Sequence, residues 1–165
     1  MKTILLMRHA KSDWKKAGLS DHDRPLNARG RRAAPAMAEH LLGQSLAVDV
    51  FLVSTAVRVS ETVELMQQRW CPAAEVLRCP SLYLASPQTI LAEIRGLHDS
   101  WSHVMVVAHN PGLVALASGL ADQDLEMPTA AVAVFQSSIA SWTTPLSADN
   151  CQLTAYWKPR ELMAD

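Results

Sequence analysis

The sequence predicts an α/β protein: one three-layer domain spanning residues 1–165, with a mainly parallel central sheet and helices on both faces. Three observations predict it. Short apolar runs at 3–7, 50–53 and 104–108 do not alternate with polar residues, as expected of strands buried on two sides. Between them lie stretches whose apolar residues recur at helical spacing, several opened by capping residues. A chain of 165 residues can bury one sizeable core and is short of two.

The elements follow in order. Thr3–Met7 reads as the first buried strand, and the polar stretch 10–27, with Gly18 and Pro25, as a loop. Asn27 suits the cap of a helix running to about Gln44, within which Pro35 is expected to break or kink the pattern. Val50–Val53 is the second strand. Residues 55–69 form a helix with Val59, Val63 and Met66 on one face. Ser86-Pro87 opens another helix, whose apolar face is Ile90, Leu91, Ile94 and Leu97. Val104–Ala108 is the third strand. Asn110-Pro111 repeats the cap-plus-proline signal ahead of Leu113, Leu116, Ala117 and Leu120. Ala131–Phe135 and Cys151–Trp157 read as late strands, the second an alternating antiparallel edge with one wet face.

Composition narrows the function classes. A formal net charge of −1 gives no reason to expect nucleic acid or anionic lipid as partner. No apolar run has the ~18 residues of a membrane span, and the N-terminus lacks a signal-peptide pattern. Three scattered cysteines fit a reducing cytoplasm better than a disulfide framework or a zinc site.

In sheets of this kind ligands bind beyond the carboxyl ends of the strands. The first strand ends in Arg8-His9. The second ends in Ser54-Thr55 and leads into a helix with Arg58 in its first turn. The third ends in His109. Two arginines and two histidines therefore converge on one edge. A first-turn arginine opposes the helix dipole unless an anion lies beside it. His22, His40, His98 and His103 read as ordinary loop, helix or strand-start residues. His9 and His109 could share a metal, but no carboxylate or thiolate stands at ligand spacing, and two cations suit an anion better; no cofactor is expected.

Two guanidiniums and free helix N–H groups describe a phosphate pocket. An imidazole there can attack phosphorus, forming a covalent phosphohistidine, provided that a second group holds its other ring nitrogen. The arginines and a protonated second histidine would offset charge on the moving phosphoryl group.

"LLMRHAKS", "STAVRVSET" and "VVAHNPG" resemble the three motifs of the histidine phosphatase superfamily, the phosphoglycerate mutase-like proteins. "DRPLNARGRRAA" and "MPTAAVAVF" resemble its SixA-type phosphohistidine phosphatase branch. The resemblance implies that His9 is the phosphorylated nucleophile, that Arg8 and Arg58 bind phosphate, and that His109 contacts the phosphoryl oxygens. It also implies a phosphorylated protein as substrate, such as a histidine-containing phosphotransfer domain, with inorganic phosphate as product.

The chain departs from the wider family pattern. Ala10 replaces the glycine usual after the first histidine, and Lys15 stands where mutase-like members often carry asparagine. Tyr83-Leu84 lies near the place where larger members carry a glutamate acid. An alkoxide leaving group needs a proton, whereas an imidazole can bring its own, so this absence fits phosphoramidate substrates. Asp13, Asp21 and Glu126 remain candidate acids. Two other readings stand beside the first: a small-molecule phosphomonoesterase or mutase with the same chemistry, and a phosphoprotein-binding module with weak catalysis.

Overall fold

The strands pair as the buried runs require. The computed structural model describes residues 1–163 and contains one six-stranded sheet, in the order β3-β2-β4-β1-β5-β6. β1 (Lys2–Arg8), β2 (Val50–Val53), β3 (Glu75–Arg78) and β4 (His103–Ala108) are mutually parallel. β5 (Val132–Ser137) runs antiparallel to β1, and β6 (Cys151–Trp157) pairs antiparallel with β5 at the edge. On β6 Gln152 and Thr154 are exposed and Leu153 between them is half-buried, as the expected wet face requires, while Tyr156 on that face is half-buried. Central β1 shows why the pattern does not alternate. Ile4 and Leu6 pack on one side, against helices α3 (Pro87–Arg95) and α4 (Gly112–Ala121). Leu5 and Met7 pack on the other, against α1 (Ala28–Gly43) and α2 (Val57–Gln67).

Caps set the helix starts. The Asn27 side chain accepts from the Gly30 N–H at 2.9 Å, and Ser86 accepts from Thr89 N–H at 3.2 Å. Val59, Val63 and Met66 are all buried, as their spacing predicts.

The structure corrects three expectations. Of the break or kink expected at Pro35, the break does not occur: helix α1 runs through it without interruption. Its buried face of Ala33, Ala34, Met37, Ala38 and Leu41 continues across the proline and outweighs one missing hydrogen bond. Helix α4 begins at Gly112, and Pro111, joined to Asn110 by a cis peptide bond, precedes it instead of occupying its first turn. The cap position is thus Pro111, and Asn110 just before it accepts from Val114 N–H in the first turn at 3.2 Å while its amide donates to the Met127 carbonyl at 2.9 Å. Strand β3 was not expected. Its four residues begin and end on charges, and only pairing with β2 gives the segment its extended form. No helix among the described residues is long and apolar enough to cross a membrane.

Candidate active site

The parallel register brings the strand ends to one place. Arg8 lies opposite Ala108 on the neighbouring strand, and Val53 opposite Val107. His9, His109 and Ser54 thus follow adjacent strands at the same level, held by His9 N–H to Ala108 O at 3.3 Å and Ser54 N–H to Val107 O at 3.2 Å. Arg58 enters from the first turn of α2. All four residues expected at the site line one pocket of about 300 Å³.

His9 is 5% exposed, Arg58 3% and His109 2%, so their interactions form away from bulk water. The His9 and His109 rings lie 5.3 Å apart, centroid to centroid. His9 Nδ1 is 2.7 Å from the Ala10 carbonyl, which can only accept, so Nδ1 carries the proton. Nε2 is left with its lone pair and accepts from Arg58 Nε at 3.3 Å. The tautomer of His109 follows in the same way. Its Nδ1 accepts from Arg58 Nη2 at 3.2 Å, so Nε2–H donates to Ser54 Oγ at 2.7 Å. Burial, then the neighbouring cations, lowers the His9 pKa to about 3. Burial and Arg58 lower that of His109 to about 4. Both imidazoles are therefore neutral at pH 7 in this arrangement, and the protonated form expected of the second histidine belongs to a pocket that holds a phosphoryl group. Burial and Arg58 also press the Arg8 pKa downward. Arg8 Nη1 donates to Met127 O at 3.4 Å, while Nε is buried with no protein partner among the described residues. That buried donor in a cationic pocket is a place for an anion's oxygen.

The loop after His9 is fixed from two sides. Ala10 N–H donates to Thr62 Oγ1 on α2 at 3.0 Å, and Asn27 N–H to the Lys11 carbonyl at 3.0 Å.

Asp21 organises the far side of Arg58. Its carboxylate accepts from Arg58 Nη2 at 3.1 Å and from Arg24 Nε and Nη2 at 3.1 and 2.9 Å, and it also accepts the Tyr83 hydroxyl. Its own carbonyl accepts from Arg58 Nη1 at 2.7 Å. These donors, Tyr83 foremost, hold the Asp21 carboxyl far below the usual carboxylate range, and the hydrogen bond to Asp21 in turn raises the pKa of Tyr83. Asp21 is thus the one candidate acid in the pocket, and it is held ionised. Asp13 lies outside the pocket lining and accepts from Lys15 N–H at 2.7 Å. Glu126 borders a neighbouring cavity and faces Lys158 at 3.7 Å.

Sequence reasoning missed Arg24, Ser12 and Trp14 at the pocket wall. Arg24 sits in a polar loop before Pro25 and reads as solvated, yet it is buried, with Nη1 donating to Ser12 Oγ at 2.6 Å. His22 stands just behind the site: Nε2 is 3.0 Å from Thr55 Oγ1 and its ring meets the Tyr83 edge at 4.9 Å. The other three histidines lie elsewhere, His40 against Trp157, His98 beside Ser100 and His103 beside Asp49.

Residues 4–82 match the model of the histidine phosphatase superfamily, branch 1. An uncharacterised protein of Mycobacterium leprae is 30% identical over 167 residues, covering 93% of this chain and all of the relative. An uncharacterised protein of Mycobacterium tuberculosis is 41% identical over 115 residues, 70% of each chain. Among solved structures, a provisionally assigned SixA phosphohistidine phosphatase of Nakamurella multipartitia superposes with TM-score 0.81 at 29% identity, over 96% of each chain. One of the same provisional assignment from Agrobacterium tumefaciens gives TM-score 0.82 at 26% identity, over 96% of this chain and 98% of the other. From these matches and the site geometry, the chain belongs to the histidine phosphatase superfamily, in its SixA-type branch.

Proposed function

We propose that this protein removes phosphate from phosphohistidine on another protein, through a covalent phosphohistidine formed on His9. The observation that carries the reading is the tautomer of His9, whose protonated Nδ1 is tied to a backbone carbonyl while the Nε2 lone pair faces the arginine-lined pocket. Attack by Nε2 forms a P–N bond to His9 and breaks the P–N bond of the substrate. The departing imidazole leaves neutral because it arrives protonated. Water then attacks phospho-His9, inorganic phosphate departs, the water's proton goes to solvent, and neutral His9 is restored.

Arg8 and Arg58 hold the phosphoryl oxygens, and Arg58 Nε turns from His9 Nε2 to an oxygen as the group enters. His109 can donate to the phosphoryl group through Nδ1 once the dianion draws a proton onto it, since Ser54 holds Nε2. Positive charge comes from side chains, so the reaction needs no cofactor. SixA assignments of the Nakamurella and Agrobacterium structures support phosphohistidine as the substrate group. The reading implies a cytoplasmic phosphotransfer setting, with a histidine-containing phosphotransfer domain as the substrate protein.

The pocket's single carboxylate, Asp21, is engaged with two arginines and a tyrosine and donates no proton. General acid catalysis contributes about 10²–10⁴-fold, so substrates that need it should suffer by that order. We expect kcat/KM for a phosphohistidine protein or phosphoramidate to exceed that for 3-phosphoglycerate by at least about a hundredfold. Equal rates on the alkyl phosphate would replace this reading with that of a small-molecule phosphomonoesterase.

A further inference from the structure

Residues 11–32 carry seven of the chain's fifteen Lys and Arg against three aspartates, a surplus of four positive charges in a protein of formal net charge −1. They wrap the mouth of the pocket. Lys11, Lys15, Lys16, Arg29, Arg31 and Arg32, with Asp13 the one carboxylate among them, line an open trough of about 780 Å³ that shares Lys11, Ser12 and Trp14 with the pocket itself. All six are exposed. Among the described residues only Arg31 has a carboxylate within ion-pair distance, Glu61 at 3.7 Å; Lys11, Lys15, Lys16, Arg29 and Arg32 have none. Arg29 and Arg31 lie in the first turn of α1, which has no acidic residue, so they oppose the helix dipole. Mutual repulsion and dipole both make this arrangement unfavourable for the protein alone.

The apolar rim points the same way. Trp14 is 75% exposed, and its ring stacks on the buried Arg24 guanidinium at 3.4 Å, placing an aromatic surface between pocket and trough. Leu84, 56% exposed, also borders the pocket. Exposed tryptophan and arginine are among the residues most often found as anchors of protein interfaces.

We infer that the trough docks an acidic face of the phosphorylated substrate protein, with Trp14 and Leu84 as its apolar contacts. The inference rests on the phosphohistidine phosphatase reading above. Substrate class is thereby set partly outside the pocket, by charge next to the phosphorylated histidine.

Two synthetic phosphohistidine peptides of equal length, one flanked by four glutamates and one by four lysines, test it. Electrostatic steering changes association by about 10–10³-fold, so the glutamate peptide should have kcat/KM at least about tenfold higher at low salt. The gap should close at about 0.5 M salt. The triple variant Lys16→Glu, Arg29→Glu, Arg32→Glu should erase the preference and leave phosphoramidate hydrolysis unchanged, which also shows that it folds. Equal rates on the two peptides, or a preference that survives in the variant, would overturn the docking surface and leave the phosphatase reading standing. If phosphoramidate is hydrolysed and neither peptide is, the protein-substrate reading falls and the docking surface with it.

Discussion

Arg58 joins the parts of the site. One edge of its guanidinium, Nε and Nη2, faces the two histidines, while Nη1 and Nη2 are anchored on Asp21. Asp21 therefore aims the fork that is to grip the phosphoryl group. Arg58→Ala should weaken binding of tungstate or sulfate by about 1.5–3 kcal/mol, the range for charged hydrogen bonds, as titration calorimetry would read. Arg58→Lys should recover little of it, because a point charge cannot serve both sides of the fork. Unchanged anion affinity in Arg58→Ala would show that the anion sits elsewhere.

At the scale of elements, precision comes from the packing of α1 under the loop that follows His9. A Cβ on Gly30 would lie 2.2 Å from the Lys11 carbonyl oxygen, a backbone atom that cannot yield cheaply. Gly30→Ala should cost about 1–3 kcal/mol by overpacking and lower kcat as the loop shifts, even though alanine is the better helix former. A Tm equal to or above that of the parent protein would contradict this. The same elements show what is legible in a sequence. Unbroken apolar runs mark three of the four parallel strands, β1, β2 and β4, because each is buried on both faces. Arg8, His9, Arg58 and His109 can be read from their places after those strands. Arg24 cannot, because its burial arises only when Asp21 and Ser12 fold onto it. Nor can β3, whose form comes from a neighbour. The behaviour of Pro35 is likewise set by the packing of a whole helix and not by the residue.

For the whole molecule, the buried neutral histidines couple folding to pH. Their folded pKa values, about 3 for His9 and about 4 for His109, lie below the ordinary value of about 6.5 expected in the unfolded chain. Between those limits the unfolded chain binds more protons, so stability should be full above about pH 6.5 and fall progressively toward pH 4. His109→Gln should flatten that slope in urea titrations. Sulfate should flatten it too, since a dianion among Arg8, Arg58 and His109 makes protonation of His109 favourable. A slope unaffected by either would contradict the neutral state assigned to His109. The central claim is that the strand end at His9 presents a nucleophile, and rapid acid-free quenching with a phosphorus-labelled phosphohistidine donor, followed by peptide mapping, tests it most directly. The account predicts acid-labile, base-stable label on His9, absent from His9→Ala, which folds but does not turn over. Label on another residue, or turnover persisting in His9→Ala, would contradict it.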